Sequence, residues 1–558
     1  MSQTVAPKET TKETPKETTA ERQKREKDGL DVWADIVRYE KEGFAAVDAD
    51  DMDRFKWYGL YTQRPAEEGF FMLRAKVPNG ALTSVQLDTL GRLSQEFGRD
   101  TGDITTRQGI QVHYIRIEDG RNIINQLGAV GLTTQGACGD IVRNVVGCPL
   151  AGIDADELFD AEPLAQRIKD RFLNDKAFSN LPRKFKISVT GCRHACAQHE
   201  INDIGFVAIK NHDGELGFDL WVAGGLGARP MLAKRLGAFV RESEAVEVAT
   251  TIVGIFRDHG YRSDRRKARL KFLMADWGPV KFRLELETRL GRKLTDSFPI
   301  DSATHAEFQQ AATNESIRDH TGVTPQRQPG LNAVGVATLR GRFSGTQMRK
   351  VAALADQLGS GRVRLTNSQN FLILDVPTAN VPALVAELAA EDLHVHASEF
   401  RRGTISCTGR QFCKLAHVET KARAEEVIRH LETTIPDFND HLRVSVTGCT
   451  NACAQYQVAE IGLVGVKGQV NGEETEFFQI QLGGHLGRDA ALGRKLNKRV
   501  PVADAKHYLE NVINVYRAQH QPGERFYEFV GRYDVKQLET LDQWNNQQPN
   551  VLAQGVAQ

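Results

Sequence analysis

Apolar and polar positions along the chain fall into two similar series. FMLRAKV (71–77) and GVATLRGRF (335–343) alternate with the period of a half-buried strand. Each leads into a helical period, SVQLDTLGRLSQEFG from Ser84 and TQMRKVAALADQLG from Thr346, then a second alternating strand and another helix. This order predicts α+β half-domains that pair across a pseudo-twofold axis.

The repetition extends to the letters. FKISVTGCRHACAQHEINDIGFVA (185–208) aligns without gaps to LRVSVTGCTNACAQYQVAEIGLVG (442–465). FDLWVAGGLGARPMLAKRL (218–236) matches FQIQLGGHLGRDAALGRKL (478–496), CPLA (148–151) matches CKLA (413–416), and ITTRQGIQVHYIRI (104–117) corresponds to RLTNSQNFLILDVP (364–377). A period above 250 residues marks a duplicated multi-part unit and excludes a short-repeat solenoid. The expected division is a charge-rich disordered tail (1–28), a first half-domain (29–135), a first α/β domain (136–298) and a Thr/Gln/Pro-rich linker (299–330). A second half-domain (331–400), a second α/β domain (401–545) and a flexible tail (546–558) complete it.

Charge narrows the function classes little. Lys+Arg and Asp+Glu both number 72, which gives no pointer to nucleic acid or a membrane surface. No apolar run approaches the roughly 18 residues of a membrane span, and the N-terminus lacks an apolar secretory region, so a cytoplasmic location is expected. The eight cysteines stand in short-spaced groups, which favours metal or redox chemistry over a disulfide framework.

Cys407 and Cys413 form a C-x5-C pair; Cys449 and Cys453 form a C-x3-C pair within VTGCTNACAQ. Two such pairs on facing loops can converge on a cubane iron–sulfur cluster, with Gly409 and Gly448 letting the backbone pass close to the inorganic sulfides. A structural zinc site or four buried thiols are the alternatives; zinc pairs more often have the closer C-x2–4-C spacing. Lys184 and Lys186 lie two apart on an expected strand and so share a face. The basic run YRSDRRKARLKF (261–272) reads as a solvated helix face, and Gly224–Gly225 and Gly483–Gly484 read as tight turns. There is no Gly-x-Gly-x-x-Gly after a strand and no separate flavin domain, so electrons are expected from another protein.

SCTGRQFCKLAHVETKARA with VTGCTNACAQYQVAEIGLVG resembles the nitrite/sulfite reductase family, and the similarity runs from GLYTQR (59–64) to about residue 535. The resemblance implies two ferredoxin-like halves and two α/β domains around siroheme and a [4Fe–4S] cluster. Cys407, Cys413, Cys449 and Cys453 would hold the cluster, and Cys453 would bridge it to the siroheme iron. By position, Arg74, Arg107, Arg143, Lys184 and Lys186 would face a nitrite or sulfite anion; in the second unit Ser368 and Thr408 stand opposite Arg107 and Arg143. Arg265, Lys267, Arg269 and Lys271 are candidates to pair with siroheme carboxylates, and Gly224, Gly225, Gly483 and Gly484 to admit the macrocycle.

In the first unit, Cys148, Cys192 and Cys196 align to cluster cysteines, but Val142 stands opposite Cys407. They are expected to be a relic of duplication, an incomplete or three-iron cluster being the lesser reading. Cys138 has no partner in the repeat; some family members join a cysteine here to the tyrosine of GLYTQR, Tyr61, although a plain buried thiol also fits. The expected activity is six-electron reduction, leaning to nitrite, with sulfite as alternative and a non-catalytic metal- or cluster-binding protein as a remote one. A ferredoxin-like donor and a monomeric chain are expected.

Overall fold

The computed structural model describes residues 17–297 and 319–544, apart from Arg193, Ala195, His212 and Arg488. The expected tail over 546–558 lies outside the described residues.

Four sheets carry the duplication. In the first half-domain the strands run in the order Leu60–Thr62, Phe70–Arg74, Ile110–Arg116, Gly102–Ile104, all antiparallel. In the second the order is Gly322–Pro325, Leu331–Val336, Phe371–Pro377, Arg362–Leu365, Ala81–Thr83. The last of these strands comes from the first half: Thr83 pairs with Arg362 and Ala81 with Arg364. The reverse exchange also occurs. Asp103 bridges Arg342, the Ile104 amide donates to the Gly341 carbonyl and the Phe343 amide to the Gly102 carbonyl, each at 2.9 Å.

Helices Ser84–Phe97 and Gly345–Leu358 lie back to back, each started by a capping box, Thr83 with Gln86 and Ser344 with Gln347. A Cβ on Gly91 would lie 2.7 Å from the Gly345 carbonyl oxygen, and one on Gly345 2.4 Å from that of Gly91. These paired glycines let the helices approach to backbone contact. Gln108 (φ +54°) and Gln369 (φ +63°) repeat the exchange: Gln108 Nε2 donates to the Leu365 carbonyl (3.0 Å) and Gln369 Nε2 to that of Ile104 (2.9 Å). One apolar core, including Leu73, Leu87, Ile115, Val334, Met348 and Ile373, runs through both halves.

Each α/β unit is built on a mixed sheet. Val142–Gly147, Phe185–Thr190 and Ile204–Lys210 run parallel, followed antiparallel by Leu216–Val222 and Lys234–Val240. Thr404–Ser406, Val444–Thr447, Ile461–Val470, Glu473–Leu482 and Arg494–Pro501 repeat that pattern. The units meet at equivalent residues. Gln455 Nε2 donates to Gln198 Oε1 (2.7 Å), and Ile201, Leu226, Val458 and Leu486 share a buried apolar cluster.

Several boundaries differ from the sequence reading. Within the expected tail, Thr19–Glu26 is a helix capped by Thr18, with Lys24 buried against Glu21 (2.6 Å) and the Leu181 carbonyl (2.8 Å). Buried charge pairing, not apolar area, docks it. Within the expected linker, Gly322–Pro325 is an edge strand, and Asp319 pairs with Arg402. The alternating 335–343 stretch is strand only to Val336, and turns at Arg340 and Gly341 (φ +55° and +71°). The basic run is not one helix face: it is irregular until Leu270, where helix Leu270–Leu290 begins, broken at Gly278 (φ +71°). No helix among the described residues is long and apolar enough to cross a membrane.

Candidate active site

The parallel strands of each α/β unit end in the loops that carry the cysteines, the side on which open α/β sheets bind ligands. Cys407 follows Thr404–Ser406, Cys413 lies on the same loop, and Cys449 and Cys453 follow Val444–Thr447. The Gly448 amide donates to Cys407 Sγ at 3.2 Å. Gly409 (φ +77°) has no room for a Cβ, which would lie 2.7 Å from Thr420 Oγ1. The loop is anchored to the first half-domain: Phe412 stacks on His113 with centroids 3.9 Å apart, and its carbonyl accepts from the Arg64 amide (3.0 Å).

Burial pushes Cys407 up to about 12, with the Cys453 thiol adding to the shift. Burial likewise raises Cys413 and Cys449, and Cys453 adds to both. The four thiols therefore share one electrostatic neighbourhood. Yet among the described residues no three of their sulfurs fall within 4.8 Å of one another. A tetrahedral zinc would draw them to roughly 3.8 Å apart, given Zn–S of about 2.3 Å. The wider spacing suits a multinuclear cluster core between them.

The predicted cations gather beside Cys453. Thr106 Oγ1 donates to the Cys453 carbonyl (3.0 Å), which seats that turn on the loop carrying Arg107. Lys184 directly precedes strand Phe185–Thr190 and Lys186 lies on it; Phe185, between them, points into the core. Burial and then Arg269 and Arg143 push Lys184 down to about 7, the Cys453 thiol acting in the opposite sense. Burial, Arg107 and Lys184 hold Lys186 well below the ordinary lysine range. Among the described residues neither ammonium has a hydrogen bond or ion pair.

Arg143 is fixed by carbonyls, Nε donating to Gly139 (2.9 Å) and Nη1 to Ala137 (3.3 Å). Arg74 donates to the buried Cys138 sulfur (3.3 Å), and the Gln111 amide oxygen faces its Nε at 3.2 Å. Tyr61 is raised by burial and by Cys138 beside it. Arg107 is committed elsewhere: it donates to Asn202 Oδ1 (2.8 Å) and to the Asn144 and Ile187 carbonyls. Burial and then Arg143 bring it down to about 9. Its donors tie the 105–109 loop to the α/β unit, the place of a positioning residue.

The remaining candidates divide. Arg269 pairs with Asp203 through both carboxylate oxygens (2.9 and 3.1 Å), Arg265 likewise with Asp140 (2.8 and 3.2 Å), and Lys271 donates to the Gly225 and Leu226 carbonyls. Lys267 is exposed. Gly224 and Gly484 are packed against their own units: a Cβ would lie 2.3 Å from the Glu200 carbonyl oxygen and 2.5 Å from that of Gln457. A Cβ on Gly225 would lie 2.9 Å from Arg269 Nη2, and one on Gly483 2.9 Å from Val530 Cγ2. Close protein packing accounts for all four glycines.

Arg183, half-buried 3.6 Å from Asp140, and Asp203, which accepts the Lys186 amide at 2.8 Å, also belong to the site. A signal for Asp203 stood in the repeat: Glu460, its counterpart, accepts the Arg443 amide in the same way (2.7 Å). The field as a whole has more cations than carboxylates. Buried Nε atoms of Arg107 and Arg269 lack acceptors, which fits a site built to receive a polyanionic group.

The comparisons match this geometry. The family model "Nitrite and sulphite reductase 4Fe-4S domain" matches residues 138–294 and 398–541, and "Nitrite/Sulfite reductase ferredoxin-like half domain" matches 63–130 and 324–391. The chain belongs to the siroheme and [4Fe–4S] nitrite/sulfite reductase family, and is an oxidoreductase. It is 41% identical over 526 residues to "Sulfite reductase [ferredoxin]" of Mycobacterium tuberculosis, covering 90% of this chain and 92% of that one. It is 37% identical to "Assimilatory ferredoxin-dependent nitrite reductase" of Haloferax mediterranei, covering 91% of each. The solved structure of the Mycobacterium tuberculosis NirA protein superposes with a TM-score of 0.87 at 39% identity, covering 93% of this chain and 97% of that one.

Proposed function

We propose that the chain is a ferredoxin-dependent sulfite reductase in which Cys407, Cys413, Cys449 and Cys453 would hold the [4Fe–4S] cluster, with Cys453 the ligand that would lie on the siroheme side. The observation that carries this is the pair of unpartnered, half-buried ammonium groups, Lys184 and Lys186, set beside Cys453 among fixed guanidinium groups. When bound, cluster and siroheme would relay six electrons, one at a time, from the external ferredoxin to the anion.

The protein's part is to capture the anion and supply protons. Arg143, held by two carbonyls, presents guanidinium charge without reorganising. Lys184, pushed down to about 7, gives up a proton readily near neutral pH, as removal of oxygen as water requires. Arg74 and Lys186 complete the cationic wall, and Arg107 positions its loop. Arg269 keeps Asp203 from neutralising the lysines. Arg265 and Lys271 are already committed, to Asp140 and to the Gly225 and Leu226 carbonyls, which leaves the exposed Lys267 as the candidate partner for a siroheme carboxylate. One chain supplies both halves of the pseudo-twofold pair, so a cytoplasmic monomer is complete.

Sulfite is favoured because the excess of positive charge suits the more highly charged anion, and because the 41% identical Mycobacterium relatives bear that name. Nitrite is the second reading, supported by the VRNVVGCPLAGID block and by relatives at 37–38% identity. The test is steady-state turnover with reduced ferredoxin and each anion. A higher kcat/KM for sulfite, with sulfide as product, is expected, and NADPH alone should give no turnover. A higher kcat/KM for nitrite would reverse the assignment.

A further inference from the structure

The three first-unit cysteines lack a fourth thiol, since Val142 replaces it. They are nevertheless packed differently from the cluster set. The sulfurs of Cys148 and Cys196 and a ring nitrogen of His320 all lie within 4.8 Å of one another, and Cys192 shares a second such group with Cys148 and Asp154. Cys148 and Cys196 both hydrogen-bond to Cys192 and hold it well below the ordinary thiol range. Among the described residues neither cysteine set brings three sulfurs this close; the first-unit set differs in placing a ring nitrogen of His320 against two of its sulfurs.

We propose that Cys148, Cys196 and His320, with Cys192 standing against Cys148 as the fourth ligand, form a mononuclear, tetrahedral site for a zinc-like divalent cation. Three thiolates and one imidazole are a recurrent closed structural set for zinc, whose short bonds need ligand atoms drawn nearly into contact. A cubane core would need them spread apart.

The histidine is placed by the fold. A Cβ on Gly335 would lie 1.7 Å from the His320 carbonyl oxygen, so His320 is seated against strand Leu331–Val336. Beside it, Asp319 pairs with Arg402 (2.8 Å) and accepts the Thr321 amide (2.9 Å). On the thiol side, Asn367 Nδ2 donates to the Cys196 carbonyl (3.2 Å). Cys196 and His320 also line one small cleft together with Gln198, Glu200 and Arg443. Asp154, on the Cys192 side, accepts the Asp156 amide (3.1 Å) and stands outside the set. The cation joins the first α/β unit to His320, three residues ahead of the Val323–Val334 pairing in the second half-domain sheet. The fold thus turns its duplicated cysteine loop from redox to structural use.

The test is metal analysis of the purified holoenzyme from zinc-supplemented cells, with zinc X-ray absorption. About one zinc per chain is expected beside the roughly five irons of cluster and siroheme. The absorption should report three sulfurs at about 2.3 Å and one nitrogen at about 2.0–2.1 Å. Cys196→Ser and His320→Ala should lose the zinc and keep the visible spectrum of both iron cofactors. Substoichiometric zinc, zinc retained in both variants, a disulfide among these cysteines by intact mass, or extra iron bound there would each overturn the proposal. Should the variants fail to fold, the wild-type absorption spectrum decides alone.

Discussion

Lys184 and Lys186 are half-buried and without an ion pair among the described residues, and burial and neighbouring cations push both below the ordinary lysine range, so an arriving anion favours their charged forms. Arg143→Ala and Lys184→Ala are therefore expected to keep both cofactors and lose about 10²–10³-fold in kcat, as when a fixed oxyanion donor is removed. Rapid kinetics on variants with matched visible spectra would check this; near-normal turnover would return both residues to the scaffold. Lys184 holds its proton below about 7 and loses it above. A limb of kcat falling above about pH 7 is expected, and Lys184→Arg, which stays charged, should abolish it.

Asp103 gives the opposite pH sign. Burial opposes its charge, but Lys421 (3.4 Å) and Arg342 (3.2 Å) hold it below the usual carboxylate range. A depressed carboxylate contributes stability that is present above its unfolded pKa, about 3.9, and lost as pH falls through its folded value. Acid unfolding below about pH 4 should show this contribution. Asp103→Asn removes the carboxylate from buried Lys421 and half-buried Arg342, and a loss of about 3 kcal/mol at neutral pH is expected in denaturant melts; a change under about 1 kcal/mol would remove Asp103 from the half-domain joint.

At the scale of elements, the cluster loop depends on a ring from the other half of the chain. Phe412 is buried between Cys407 and Cys413 and stacks on His113. Phe412→Ala, a truncation worth about 3–5 kcal/mol at buried sites, should free that loop. Faster bleaching of the cluster absorption under chelator is the expected readout, and an unchanged rate would show that the cysteine backbone alone holds the loop. Most elements were legible from periodicity because each is repeated: helices Ser84–Phe97 and Gly345–Leu358 stand within a residue of the sequence reading. The two short-spaced cysteine pairs were legible too, and the fold carries both on loops that follow parallel strands of one sheet. Other features depend on contacts made only after folding. Helix Thr19–Glu26 has few apolar residues and is held by ions from distant loops. Arg107 looked like an anion ligand, but the carbonyls that take up its donors are distant in sequence. His320 sits in a stretch whose composition reads as linker.

At the scale of the molecule, a single apolar core runs through both half-domains, so neither half can bury its own surface. Half-chains ending at 297 and beginning at 319 should be insoluble when made singly and should yield cofactor-containing protein when made together. Soluble, folded single halves, seen as sharp amide dispersion in NMR, would show that the shared core is dispensable. The crossed strands also set a timetable for synthesis. Thr83 must wait for Arg362 to leave the ribosome before its strand has a neighbour. At about 5–20 residues per second, that wait is roughly 15–55 s. For that interval the nascent chain carries an unfinished sheet edge and an uncovered helix face, the kind of surface on which partly made chains pair with one another.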